Sequence, residues 1–282
     1  MSNFNELFGN TTENISNKQI IENNINIENV NIFDFVNINK SFKDFKLFDN
    51  FNLSIPDFKD ESQFITILGQ SGCGKTQLLK MLSGLKTPDS GYINFYGNKL
   101  KESDTIPMVF QQYSSYEWFT VLENIALPMK LRGIPKKERI EKAKELIKLV
   151  NLEGHENKFC RYGLLSGGQL QRVSIARSLA CDSKILLLDE FSSGLDFKTK
   201  LELQDLLLKI FYDNSIDRTF IMVSHDIKEA IYLSNRIIIL EPNPCKIKNI
   251  IDINFPFKRN HEIFKTKEFE NYELKILSLF NN

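Results

Sequence analysis

No stretch of this chain is long and apolar enough to cross a bilayer. The longest buried-type runs, Ile185–Leu188 and Phe220–Val223, are strand-sized, against the roughly 18 or more residues a membrane helix needs. The opening MSNFNELFGN lacks the basic-then-apolar layout of a secretory signal, so export is not expected. Cysteine is scarce and scattered. Cys73, Cys160, Cys181 and Cys245 form no CxxC pair and stand near no histidine cluster. Neither a disulfide framework nor a structural zinc is therefore expected, and a reducing cytosol fits. An excess of one charge is also missing. Lys+Arg number 36 and Asp+Glu number 36, whereas a general nucleic-acid binder would carry a basic surplus. What is present is 282 residues, 42% of them hydrophobic, enough for a real core in one large domain or two small ones.

Residues 1–31 are polar and Asn-rich. They offer too little apolar area to offset ordering entropy and read as a flexible extension. From Ile32 the pattern changes. Phe33–Val36, Phe51–Ile55 and Phe64–Leu68 read as strands. A Gly-rich turn follows, then a helix over Thr76–Ser83 with Leu78, Leu79 and Leu82 on one face, stopped by Gly84. Residues from about 112 to 165 read as mainly helical, with Ile140, Ala143, Leu146, Ile147 and Val150 in one apolar stripe. Beyond them come a helix over Gly167–Ala180, strand Lys184–Leu188, helix Lys200–Ile210, strand Thr219–Val223, helix Asp226–Leu233 and strand Arg236–Leu240. Continuous apolar strands separated by helices predict a mostly parallel sheet covered on both faces. The end of the chain predicts a turn at Glu241–Pro244, a short strand Ile247–Ile253 and a final helix Glu268–Phe280 within a tail at 256–282.

Three segments carry chemistry. Gly69-Gln70-Ser71-Gly72-Cys73-Gly74-Lys75-Thr76 fits G-x-x-x-x-G-K-[ST] between a strand and a helix, with Gln77 next in line. Its glycines let backbone amides converge on phosphate oxygens, and the helix that follows aims its positive end at the same anion. Lys75 would neutralise β- and γ-phosphate charge, and the Thr76 hydroxyl would bind Mg²⁺. The buried-type strand Ile185–Leu188 ends in Asp189 and Glu190. In a P-loop enzyme the first acid holds Mg²⁺, and the second can polarise water for in-line attack on the γ-phosphate. Leu165-Ser166-Gly167-Gly168-Gln169-Leu170-Gln171-Arg172 is a second anion-binding helix start, with a hydroxyl and glycine amides free to meet phosphate.

With these three in this order and spacing, residues 33 to about 255 resemble the ATP-binding cassette (ABC) ATPases. The resemblance implies an α/β fold: a P-loop, RecA-like core at 32–255 with a mostly parallel sheet, an antiparallel β part near the N-terminus, and an inserted α-helical subdomain at about 112–165. It implies a head-to-tail dimer in which each ATP meets the P-loop of one chain and Ser166, Gly167, Gly168 and Gln169 of a second copy. Phe42 is similar to the aromatic that stacks on adenine, with a core place at the strand end as the other reading. Gln111 is similar to the glutamine that contacts Mg²⁺ and water, Asp196 to the acid of the loop crossing the dimer interface, and His225 to the histidine that bonds the γ-phosphate. The pattern departs from the family at Phe191, where proline usually follows the glutamate, at Gln77, where threonine is commoner, and at Glu117, where proline often precedes the tryptophan. None of these removes a catalytic group.

Transport by this family needs separate permease subunits. The text Trp118–Ile125 after Gln111 matches the region that docks a permease helix, although Trp118 reads equally as a core aromatic. The runs His225–Ala230, Leu233–Arg236 and Glu241–Ile247 are similar to importers of nitrate, sulfonates and taurine, which would act through an external substrate-binding protein. The implied setting is the cytoplasmic face of the membrane, with ATP and Mg²⁺ as cofactors and no nucleic acid. Two other readings are a non-transport ABC ATPase acting on nucleic acid or ribosomes, and a cassette that binds ATP without turnover. Neutral charge and the absence of coiled-coil or zinc insertions weigh against the first. Intact Lys75, Asp189, Glu190 and His225 weigh against the second.

Overall fold

The computed structural model describes residues 31–43, 45–58, 61–101, 104–213, 217–256 and 259–281. The expected Asn-rich extension lies outside these residues except for Asn31, which opens the first strand.

Two sheets form the frame. The first is antiparallel and four-stranded, in the order β2 (Phe45–Pro56), β1 (Asn31–Phe42), β4 (Ser90–Phe95) and β5 (Asn98–Lys99). The second is six-stranded, in the order β10 (Lys246–Asp252), β9 (Arg236–Glu241), β3 (Gln63–Gly69), β8 (Thr219–Ser224), β7 (Ile185–Asp189) and β6 (Met108–Val109). All its pairings are parallel except the edge strand β10. The expected mostly parallel sheet and antiparallel N-terminal part are both present.

Every residue of β3, β7 and β8 is buried, and their side chains alternate between the two faces of the sheet. Phe64, Leu186, Leu188, Phe220 and Met222 face one. Ile65, Ile67, Ile185, Leu187, Ile221 and Val223 face the other. This period of two is the geometry of a strand. Such continuous apolar runs are stable only when helices or a second sheet cover both faces. The first core is closed by α2 (Val121–Leu131), α3 (Lys136–Leu149), α4 (Gly167–Leu179) and α5 (Phe197–Phe211). The second is closed by α1 (Lys75–Leu82) and the antiparallel sheet.

Residues 112–165 are less helical than the sequence pattern predicts. Only α2 and α3 are regular there, and 112–120 and 150–165 are loops and turns. One buried side chain explains the first loop. Asn124 Nδ2 donates to the carbonyls of Tyr116, Phe119 and Thr120 at 3.0, 3.2 and 3.0 Å, and its Oδ1 accepts from Tyr116 N at 2.9 Å. These bonds tie the loop to the first turn of α2, whose first helical bond runs from Asn124 N to Thr120 O at 2.9 Å.

The C-terminal segment is anchored to the catalytic half. Helix α6 (Ile227–Leu233) ends against Arg259, whose Nη1 donates to the carbonyls of Ile231, Tyr232 and Ser234 at 3.3, 2.9 and 2.7 Å. A cation there answers both the unpaired carbonyls and the negative end of the helix. His261 stacks on Tyr232 and pairs with Asp205 at 3.0 Å, and α7 (Lys267–Asn281) buries Phe269 and Ile276.

Candidate functional site

Parallel pairing brings the carboxyl ends of β3, β8, β7 and β6 to one edge of the sheet, where ligands of open α/β sheets bind. The register aligns Leu68 with Ser224, Asp189 with Val223, and Val109 with Leu188. Gly69, Asp189, Glu190, His225 and Gln111 therefore emerge along one rim.

The loop from Gly69 to Lys75 connects β3 to α1. A Cβ on Gly69 would lie 2.7 Å from Cys73 Sγ and 3.1 Å from Leu240 O, so only glycine fits the turn. Gly74 sits at φ 97° with Phe48 Cζ 2.9 Å from where a Cβ would be. Cys73 is buried and takes its side chain into the core, where burial pushes its thiol pKa up. Its part in any cradle is limited to the backbone. Lys75 is 5% exposed. Its Nζ donates to Gly69 O at 2.8 Å and Gln70 O at 3.1 Å, and stands 3.9 Å from Glu190 Oε1.

The Thr76 hydroxyl donates to Asp189 Oδ1 at 2.8 Å. Burial pushes the Asp189 carboxyl above its ordinary range, the Thr76 bond pulls it back, and the Glu190 charge raises it further. The next residue, Glu190, holds φ at 39°, a left-handed conformation unusual outside glycine. Its amide is tied to Val223 O at 3.1 Å, which turns the chain sharply at the sheet edge. His225 Nδ1 lies 3.2 Å from Glu190 Oε1, and Gln111 Nε2 lies 3.4 Å from Glu190 Oε2. Lys75, His225 and Gln111 thus converge on one carboxylate.

A cavity of about 460 Å³ opens in front of this group, lined by Phe42, Phe45, Leu47, Ser71, Gly72, Gly74, Lys75, Thr76, Gln77, Gln111 and Glu190. Phe42 is 46% exposed, so it is a wall of the cavity and not a core residue. Phe45 stands in the same wall and went unread in the sequence, where nothing separates it from the other aromatics of β2.

Ser166, Gly167, Gly168, Gln169 and Asp196 do not line this cavity. Ser166 caps α4, its hydroxyl accepting from Gln169 N at 3.2 Å while Ser166 N donates to Gln169 Oε1 at 2.9 Å. This reciprocal pair is a capping box. A Cβ on Gly167 would lie 2.2 Å from the Tyr113 hydroxyl, and one on Gly168 would lie 2.3 Å from Thr199 Cγ2. Asp196 caps α5, its Oδ1 accepting from Thr199 N at 3.0 Å and its Oδ2 from Thr199 Oγ1 at 2.6 Å. Phe191, where proline is usual, is buried in the core below Glu190.

Trp118 is 68% exposed, which removes the core reading for it. It packs with Tyr116 and Phe119, ring centroids 5.4 and 6.3 Å away, in an aromatic surface patch. Arg177, from α4, holds this loop from below by donating to Ser114 O and Ser114 Oγ at 2.8 and 2.7 Å. No helix among the described residues is long and apolar enough to cross a membrane.

Comparison with known proteins bears on this arrangement. Residues 48–193 match the family model described as ABC transporter. An uncharacterized ABC transporter ATP-binding protein of Methanocaldococcus jannaschii is 42% identical over 238 residues, covering 84% of this chain and 85% of that one. The aliphatic sulfonates import ATP-binding protein of Bacillus cereus is 38% identical over 243 residues (86% and 91%). The nitrate import ATP-binding protein of Synechocystis is 36% identical over 237 residues (82% and 86%). A solved dimeric ATP-binding cassette in a post-hydrolysis state, bound to ADP and Pi, superposes with a TM-score of 0.67 at 30% identity, covering 79% of this chain and all of that one. The strand-edge carboxylates, the glycine cradle and the LSGGQ helix start sit on a fold shared with these proteins, and the chain belongs to the ABC transporter ATP-binding family as a P-loop ATPase.

Proposed function

We propose that this chain energises a membrane importer for a small anion such as nitrate, a sulfonate or taurine. It works at the cytoplasmic face as a head-to-tail pair of identical copies bound to permease subunits, with a substrate-binding protein acting upstream. The observation that carries the reading is the convergence of Lys75, Gln111 and His225 on Glu190 at the mouth of the glycine cradle.

ATP enters the cavity with its adenine against Phe42 and its phosphates on the backbone of residues 69–76. Lys75 then exchanges the carbonyls of Gly69 and Gln70 for β- and γ-phosphate oxygens. The Glu190 carboxylate accepts a proton from the water that attacks the γ-phosphorus, and the bond from that phosphorus to the β-phosphate bridging oxygen breaks, releasing ADP. His225 holds the γ-phosphate and, through its contact with Glu190, keeps the base aimed. Thr76, Asp189 and Gln111 are the residues that would hold Mg²⁺. The Thr76 and Asp189 oxygens already face each other at 2.8 Å, a hard donor pair suited to that ion. Bound there, Mg²⁺ would neutralise phosphate charge in the transition state.

The second copy contributes Ser166, Gly167, Gly168 and Gln169 to the γ-phosphate and Asp196 to the interface. The patch of Tyr116, Trp118 and Phe119 docks a permease helix, and closure of the pair is passed to the permease through Gln111 and the loop that follows it. The anion assignment draws on the likeness to sulfonate and nitrate importers.

Affinity capture of the tagged chain from gently solubilised native membranes tests this reading. Recovery of a multi-span permease supports it. A purely soluble chain, or one that brings down ribosomes or DNA-bound partners, overturns the transport role and leaves the ATPase chemistry standing. Glu190→Gln is expected to retain ATP binding and lose hydrolysis by about 100-fold or more, the range of general-base catalysis. Parent-like turnover would remove Glu190 as the base.

A further inference from the structure

Among the described residues, the hydrolysis scheme leaves one buried carboxylate unused. Glu229 lies on α6, is 4% exposed, and binds both strand tips that carry the chemistry. Its Oε1 accepts from the Ser192 hydroxyl and, at 3.1 Å, from Gln204 Nε2. Its Oε2 accepts from the Ser224 hydroxyl at 2.7 Å. Ser192 stands two residues after Glu190, and Ser224 immediately precedes His225. One carboxylate therefore bridges the turn after β7 and the end of β8.

Burying a charge costs several kcal/mol unless donors surround it. Here Ser192, Ser224 and Gln204 are themselves buried, and Lys200 stands 3.9 Å from Oε1. The start of α6 is held as well. Glu229 N donates to Asp226 Oδ1 at 3.1 Å, and Asp226 pairs with Lys200 at 2.7 Å. Gln204 and Lys200 both belong to α5, which Asp196 opens.

We infer that Glu229 is a positioning residue for ATP hydrolysis. It sets the 3.2 Å approach of His225 to Glu190 and ties that approach to the start of α5. The inference rests on the reading of Glu190 and His225 given above. None of the Glu229 partners lines the cavity at the glycine cradle. Loss of the bridge therefore degrades the chemical step and spares nucleotide binding. A displacement of about 1 Å at a reacting group can cost on the order of 100-fold in rate.

The discriminating variant is Glu229→Gln. It keeps the volume of the side chain and one oxygen acceptor for Ser192 and Gln204, but offers Ser224 an amide in place of an acceptor. Ser224→Ala cuts the same arm from the other end, together with the 3.0 Å bond that its hydroxyl accepts from Asp226 N. Steady-state ATPase by the full chain is measured beside calorimetric binding of a non-hydrolysable ATP analogue. Each variant is expected to lose about tenfold or more in kcat, with analogue affinity within about twofold of the parent. The double variant should fall well short of the product of the two single losses, because the Ser224–Glu229 contact is lost only once. Should Glu229→Gln fail to fold, Ser224→Ala decides alone. Parent-like kcat overturns the proposal, and so does an affinity loss that accounts for the whole fall in rate. Glu190→Gln run in parallel separates the two readings. If it hydrolyses ATP normally, the base assignment falls. If it is inactive while the Glu229 and Ser224 variants are normal, only the positioning role falls.

Discussion

Two helices in this protein begin with an invitation to an anion, and they extend it differently. Helix α1 starts at Gly74, at φ 97°, with no side-chain cap. Helix α4 starts at Ser166 with a complete capping box, reinforced by a 3.1 Å contact from Gln169 Nε2 to His155 Nε2. The uncapped start leaves its first amides for a ligand and has Lys75 folded beside it as a movable charge. The capped start has already met part of its own need. What Ser166 still offers is a hydroxyl proton and the amides of the glycines behind it. The first gathers its cradle, its lysine and its carboxylates within one chain. The second stands away from the cavity at that cradle, and its proposed use is to meet a phosphate carried by a second copy.

The comparison can be broken at either start. Gly168→Val should produce the largest effect, because even a Cβ would lie 2.3 Å from Thr199 Cγ2. Hydrolysis is expected to drop by about 100-fold or more, the scale of losing a transition-state donor, while calorimetric ATP binding by the single chain stays at parental strength. An equal loss of binding would mean the two starts are not separate. Lys75→Ala should instead weaken ATP binding itself by about 10- to 100-fold, the worth of a charge-assisted hydrogen bond. Unchanged affinity would sink the cradle reading. Mixing these two variants sharpens the point. A heterologous pairing leaves one composite site intact in each mixed dimer, so activity should recover to roughly a quarter of the parent's. No recovery would exclude head-to-tail assembly. Ser166→Ala should cost about 1 kcal/mol of thermal stability through the lost cap and leave single-chain ATP binding untouched, and hydrolysis by the pair should fall less than in Gly168→Val, because only the hydroxyl donor is lost and the glycine amides remain.

The glycine cradle was legible because it is local: the residues that make it are neighbours in sequence, and their types follow from backbone geometry. The capping box was not, since Ser166 read as a hydroxyl free for phosphate while its oxygen accepts from Gln169 N. The parallel sheet was legible from apolar runs such as Ile185–Leu188, buried on both faces. The helical content of 112–165 was overstated: 150–165 runs as turns, and at 116–120 Asn124 holds the loop through bonds that no periodicity displays. Phe45, Tyr113 on Gly167, and Glu229 were illegible for a related reason. Each acquires its meaning from a neighbour brought close by tertiary packing. Glu229 left one trace: an acid beside Ala230 and Ile231 in a short apolar helix, where charge needs a partner.

Arg259 at the end of α6 redraws the limits of the catalytic unit. The motifs stop at His225, and a minimal cassette drawn from them would be trimmed near residue 255. That cut would strip three carbonyls of their cation at the foot of the helix that carries Glu229. A truncated chain would keep every motif and soften at the strand tips, a place distant in sequence from the scissors.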